Sequence, residues 1–410
     1  MKRALFLGTL LMTCGAMFAQ KYLVTDADMK YKEACAKPQK IDQRKLADAW
    51  RSIQDAMKNE KTVNFHETYK VAANIRNVQL VQMYQAGQQS GKLDTLAYFN
   101  GVKEMYDYYT TYDRLINTPN EKGKLPLKAD ELKKAHKEAQ QSAMPLRQSM
   151  LLGGSSIINS HTKEGLGFLD VYLASLDAPL FKDLNLAETD TMLNAAYLYY
   201  GMGLKKLAQT WEDTVKYLGY YEKTIGDPQY GAYSCVELMN TYKHHGDIAS
   251  WEKYCKYAFE HFPEDQQYPK LLIQEYVNSG REEEALKMCD LMIEKFPNEI
   301  FPAETKALII FNKRDYVQSV ELFKKLTEVD PTYGRAWCSL GTSYYQIAME
   351  NKDDVKKCKE YLELALPAYK KAEEVEPDDP SLWGYYLYHC YHALNDKTNE
   401  AKYKKYENNQ

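Results

Sequence analysis

Apolar positions return at helical intervals along most of the chain. Residues 335–348 read RAWCSLGTSYYQIA, and Trp337, Leu340, Gly341 and Tyr344 fall at intervals of 3, 1 and 3. That spacing puts all four on one face of a helix. In residues 300–331, Ala307 is the small residue of one helix, and Ser319, Phe323 and Leu326 form one face of the next. One period earlier, Leu272, Ile273 and Tyr276 precede Ala285, Cys289 and Met292. Another period back, Leu238, Met239 and Tyr242 precede Trp251, Cys255 and Ala258. The junctions HHGD, NSGR and NKRD read as turns between paired helices. Small residues recur on these faces because two helices that cross closely leave no room for a large side chain. Residues 40–116 are also patterned as helices, in ADAWRSIQDAMKN and TLAYFNGVKEMYDYYTTYDRLI, without a clean repeat.

Proline punctuates the second half of the chain. Pro263, Pro297 and Pro331 are each 34 residues apart and follow HF, KF and VD. A period of this length marks a repeat array in which each unit buries its apolar face on the next. Trp337, Leu340, Gly341 and Tyr344, followed by Ala365, Tyr369, Ala372 and Pro377, resemble the tetratricopeptide repeat. That family has two antiparallel helices per 34 residues, with a Trp-Leu-Gly-Tyr comb, an Ala-Phe-Ala comb and a proline. The resemblance implies an all-α fold, an α-solenoid of stacked antiparallel helix pairs. Two features depart from the pattern. Pro331 and Pro377 are 46 residues apart, 12 more than 34, so both helices of that repeat are expected to be longer. Trp251 stands where the family prefers Ala, which predicts a local splay.

Upstream, Ala196 and Tyr199, then Ala208, outline another unit, and Gly153, then Gly165, Leu169 and Tyr172, a degenerate one. Gly153 and Gly154 read as a close helix contact. The expected division is a leader at 1–19, an N-terminal helical region at 20–116, a linker at 117–129 and a degenerate helix pair at 130–186. The array then runs over 187–410, with the enlarged repeat at 334–377 and a C-terminal capping unit that opens at Trp383.

Composition adds a compartment. The first residues, MKRALFLGTLLMTCGAMFAQK, have a basic start, a short apolar run and Ala19 before a polar chain. This is the pattern of a secretory signal and predicts export, to the periplasm. The alternative is lipidation of Cys14, which would make an outer-membrane lipoprotein. No later stretch approaches the roughly 18 apolar residues of a membrane span. Cleavage would leave seven of the eight cysteines, an odd number, read mainly as small buried hydrophobes. The chain has no Asn-x-Ser/Thr sequon, which fits a bacterial envelope protein better than a eukaryotic secreted one. Net charge is −4, or −6 without Lys2 and Arg3, and this mixed surface argues against a nucleic-acid partner.

Tyrosine is abundant, with 35 Tyr against 12 Phe. The comb residues themselves are packing residues, so a site is expected one or two positions off the comb on the first helix of each pair. That offset selects Tyr197, Tyr200, Tyr233, Asn240, Lys243, Lys270, Gln274, Asn278, Phe311, Asn312, Arg335, Tyr345, Tyr388 and Tyr391. A face of tyrosines with amides and basic groups between suits a protein partner or an extended peptide. Some tetratricopeptide proteins hold a peptide's terminal carboxylate with a Lys and an Asn one turn apart. Here Lys270 is followed by Gln274, and no complete clamp carries over.

His389 and His392 offer half a zinc site, and no nucleophile elbow, phosphate loop or His-Glu-x-x-His motif is present. The sequence therefore predicts a non-catalytic scaffold with no cofactor and no metal. The alternative is a glycan- or polymer-binding envelope protein that uses the same aromatic groove, and a further reading is a lipid-anchored component of outer-membrane assembly.

Overall fold

The computed structural model describes residues 21–37, 40–262 and 264–408. The expected leader, Cys14 included, lies outside the described residues. Every regular element among the described residues is helical. The chain divides into two compact units, with the boundary in sequence between Leu238 and Met239.

The first unit holds α1 (21–34), α2 (Gln43–Lys58), α3 (His66–Ser90), α4 (Thr95–Ile116) and α5 (Ala129–Ile157). It continues with α6 (Thr162–Ala174), two short 3-10 turns, the one-turn α7 (Leu186–Thr189), α8 (Leu193–Leu207), α9 (Trp211–Thr224) and the start of α10 (Gly231–His245). Successive helices from α2 to α6 pack on one another, as do α6 on α8 and α8 on α9. Residues 117–128 join α4 to α5, and Tyr112 and Ile116 on one side share a core cluster with Ala135, Ala139 and Ala143 on the other.

Glycine sets the tightest crossing here. A β-carbon on Gly154 would stand 2.9 Å from the carbonyl oxygen of Gly165, and one on Gly153 would stand 2.7 Å from the Phe99 ring. The close contact expected of this glycine pair is therefore present between α5, α4 and α6. Ala208 corrects an expectation: it is the residue that ends α8, not part of the next helix face. The close approach in that pair comes instead from Gly201, whose β-carbon would stand 3.2 Å from Tyr220.

The second unit contains the rest of α10, then α11 (Ile248–His261), α12 (Gln267–Asn278), α13 (Glu282–Lys295), α14 (Ile300–Asn312) and α15 (Tyr316–Val329). After these come α16 (Gly334–Glu350), α17 (Val355–Val375), α18 (Gly384–Ala393) and α19 (Lys397–Tyr403). Helices α12/α13, α14/α15, α16/α17 and α18/α19 pair with one another, and each pair packs on the next. This is the all-α array of stacked helix pairs that the combs imply. Ala285, Cys289 and Met292, like Ala307, Ser319 and Phe323, are fully or almost fully buried. Trp251 is buried too, with the Lys243 ammonium 4.2 Å from its ring centre.

The turns repeat with the helices. Gly246, Gly280, Arg314 and Asn395 each have a positive φ, of 81°, 71°, 63° and 57°. A left-handed residue ends the first helix and turns the chain sharply. An aspartate follows at three of the four, and Asp247, Asp315 and Asp396 accept a backbone N–H three residues on. This pairs off a donor that a helix N-terminus leaves open. The enlarged repeat keeps the plan with longer arms: α16 has 17 residues and α17 has 21, against 13 and 14 in α14 and α15.

Candidate functional site

The candidate faces are built by first helices, and each unit carries its own. In the first unit, α8 presents Tyr197 and Tyr200, both half-buried. The Tyr200 ring lies 4.8 Å from that of Tyr220, and its hydroxyl donates to Asp170. The Lys223 ammonium stands 4.5 Å from the Tyr197 ring centre and 4.8 Å from that of Tyr220. Tyr233, on α10, is 43% exposed and meets Tyr221 edge-on.

In the second unit, Asn240 and Lys243 on α10 are exposed, as are Gln274 and Asn278 on α12. Lys270 is half-buried at the start of α12. Phe311 is half-buried against Tyr316, with ring centres 5.1 Å apart, and Asn312 is exposed beside it. Arg335 is exposed on α16. Tyr345 is half-buried, edge-on to Tyr386, and burial pushes its hydroxyl up to about 12.

Two expected groove residues are core residues. Tyr388 and Tyr391 are only 5% and 3% exposed. The chain's last turns cover them: Tyr388 donates to Glu407, and the Tyr391 ring stacks on Tyr403 at 5.7 Å and 13°. Helix α19 and the 3-10 turn after it pack onto α18 and close over these two positions.

Three lysines on these first helices are paired. Lys205 bonds Glu237 in the first unit. In the second, Lys243 bonds Glu275, and Lys270 bonds Glu299 at 2.8 Å. Each pair spans two successive first helices, or a first helix and the cap of the next. Glu304 likewise accepts from Tyr333. The charged side chains therefore tie neighbouring repeats together, and the sequence shows none of this because each partner sits about one period away.

Two denser polar knots lie inside the units. Arg147 is 2% exposed; it bonds Ser175 and Asp190 and stacks its guanidinium 3.9 Å from the centre of the Tyr172 ring. Asp190 also accepts the Tyr172 hydroxyl at 2.6 Å. The second unit repeats the arrangement with other residues. Glu252 accepts from Arg281, Lys256 and Tyr276, and the Arg281 guanidinium lies 4.5 Å from the Tyr276 ring centre. Hydrogen bonds from Arg281 hold the Glu252 carboxyl down at about 2, against the opposing effect of burial. In both knots a carboxylate is shared by a tyrosine hydroxyl and an arginine stacked on that tyrosine. Both fasten helices together.

The cysteines follow the same logic. Cys235, Cys255, Cys289 and Cys390 are fully buried, and burial pushes the thiols of Cys235, Cys289 and Cys390 up to about 12. Thiols held that high carry little thiolate and are poor nucleophiles.

No family model matches the chain, and no curated protein matches it. The chain is similar to the solved structure of a MamA RS-1 ArsTM double mutant, at 17% identity over 45% of this chain and 99% of that one, with a TM-score of 0.32. It is similar to YrrB, described as a TPR protein with an unusual peptide-binding site, at 17% identity over 53% of this chain and 97% of that one, with a TM-score of 0.31. The TPR domain of P58(IPK) is similar at 14% identity over 91% of this chain and 99% of that one, with a TM-score of 0.25. Superpositions this loose leave the all-α fold to rest on the chain's own combs, turns and stacked helix pairs.

Proposed function

We propose that this protein is an exported, non-catalytic scaffold that holds a protein partner, presented as an extended peptide, on the tyrosine-rich first-helix faces of its repeats. The observation that carries the reading is the pairing of Lys205, Lys243 and Lys270 with Glu237, Glu275 and Glu299. With these three lysines neutralised, such a face offers chiefly rings, amides and hydroxyls. Peptide backbone and uncharged side chains are the matching chemistry. Export rests on the basic start and apolar run before Ala19.

A glycan is the second reading, because tyrosine rings also stack on sugars. Lys223 argues against it in the first unit: its ammonium already covers the rings of Tyr197 and Tyr220, the faces a sugar would need. Stacked rings elsewhere, such as Tyr369 on Tyr386 at 4.9 Å and 4°, cover each other in the same way.

Affinity capture from a native envelope extract, with and without prior protease treatment, tests the proposal. A partner that protease destroys, and that stays bound as ionic strength rises, is the expected result. Capture that survives protease, or that is lost steeply with salt, overturns it.

A further inference from the structure

The first unit holds a cavity of about 570 Å³ that none of the repeat faces uses. It opens between the C-terminal half of α4, His136 on α5 and the 3-10 segment that starts at Pro179. Its size is within the range of small-molecule sites. Gln140 braces the far wall, with its amide 3.0 Å from the Leu180 carbonyl oxygen and 2.7 Å from Asp183.

The polar groups in it are arranged asymmetrically. Asp113 is 3% exposed, and an unanswered carboxylate at that depth would be costly. It is answered by His136 Nδ1 at 2.6 Å and by the Asn117 amide at 3.2 Å. Burial raises the Asp113 pKa, and the bond from His136 lowers it in turn. With Nδ1 committed to the carboxylate, the imidazole is fixed in orientation. Its Nε2 has no partner among the described residues. Arg114 lines the same cavity, is exposed, and forms no ion pair among the described residues. The cavity lining thus includes an arginine with no ion pair among the described residues and an imidazole held at Nδ1, and its one lining carboxylate is already spent.

We infer that this cavity binds a phosphate group, with Arg114 on its charged oxygens and His136 Nε2 on a further oxygen. Phosphate suits the pair better than a simple carboxylate for a reason of proton chemistry. Near neutral pH it carries both P–O⁻ and, in part, P–OH. A neutral imidazole with its proton on Nδ1 accepts from P–OH at Nε2, and an imidazolium donates from Nε2 to P–O⁻. The guanidinium fork matches two phosphate oxygens in either case. A bare phosphate leaves most of the cavity empty, and Pro179 and Leu180 give the carbon skeleton of a phosphate ester a surface to lie on. This inference is independent of the scaffold reading, since it concerns none of the tyrosine faces.

The test is a proton NMR titration of the full chain with inorganic phosphate and, separately, with glycerol 3-phosphate. The His136 ring signal is identified by its loss in His136→Gln. The expected result is a saturable shift of that signal with at least one probe. Arg114→Gln should weaken binding by about tenfold or more without lowering the melting temperature, and Arg114→Lys should restore part of it. Tighter binding of the ester identifies an ester ligand, and binding of phosphate alone identifies the free ion. If neither probe shifts His136, or if Arg114→Gln titrates like the unsubstituted chain, Asp113 and His136 only tie α4 to α5 and the inference fails.

Discussion

The ring of Tyr369 occupies the place where a side chain at Gly341 would begin: a β-carbon on Gly341 would stand 2.8 Å from Cε1 of Tyr369 and 2.9 Å from Cζ. Tyr369 is fully buried, stacked on Tyr386 and hydrogen-bonded to Thr342, so it has nowhere to retreat. Gly341→Ala should therefore destabilise the second unit by about 1–3 kcal/mol, read by thermal denaturation. An unchanged melting curve would mean that α16 and α17 do not cross at this glycine.

Acid should reach the second unit through Glu252. Its folded-state pKa is about 2, below the ordinary 4.5, so its contribution is complete above pH 4.5 and lost as pH falls toward 2. The shift corresponds to something on the order of 3 kcal/mol. Between pH 5 and about 3, the melting temperature of the unsubstituted chain should fall more steeply than that of Glu252→Gln. Parallel pH profiles would assign the acid sensitivity to other carboxylates.

In the first unit, Arg147→Met should cost about 3–5 kcal/mol, because it leaves Asp190 buried without its cation. Asp190 has only 8% of its side chain exposed and cannot recover that loss from water. Adding Asp190→Asn should return part of the stability. Urea denaturation of both variants measures this, and a double variant weaker than the single would contradict the pairing.

Among the described residues, Arg314 is the one left-handed turn residue that is neither Gly nor Asn, at a φ of 63°. A left-handed conformation costs a residue with a β-carbon roughly 1–2 kcal/mol. Arg314→Gly should stabilise the chain by about 1 kcal/mol, part of the gain being offset by glycine's freedom in the unfolded state. A lower melting temperature would show that the arginine side chain contributes more than the strain removes.

Tyr391 and Tyr233 should part company. Tyr391→Ala removes a buried ring and should cost about 3 kcal/mol or more. Tyr233→Ala, at an exposed position, should stay within about 0.5 kcal/mol. On the scaffold reading Tyr233→Ala should still reduce partner capture, and full retention of the partner would remove Tyr233 from the binding face.

The difference between these two tyrosines marks where the sequence stops being readable. Both stand at the same kind of offset from a comb, yet one faces out and the other lies beneath Tyr403. Ala307, Phe323 and Ala365 were legible as core because a buried helix face recurs every three or four residues and the faces recur every 34. The longer arms of the repeat at 334–377 were legible from the same period. Ala208 was misplaced because a period gives the order of faces but leaves the ends of helices to local capping.

The sequence alone determined the helices, their pairing and the inward residues of the second unit. These depend on short intervals along one chain segment, and each small residue has a single physical reason to recur. Tertiary structure decided which polar groups meet. Asp113 finds His136 across 23 residues and Arg147 finds Asp190 across 43, distances at which no periodic rule applies. Such partners depend on which helices happen to cross and at what height. It follows that the neutralised lysines, the covered tyrosines and the cavity beside Arg114 arise only once the helices are packed.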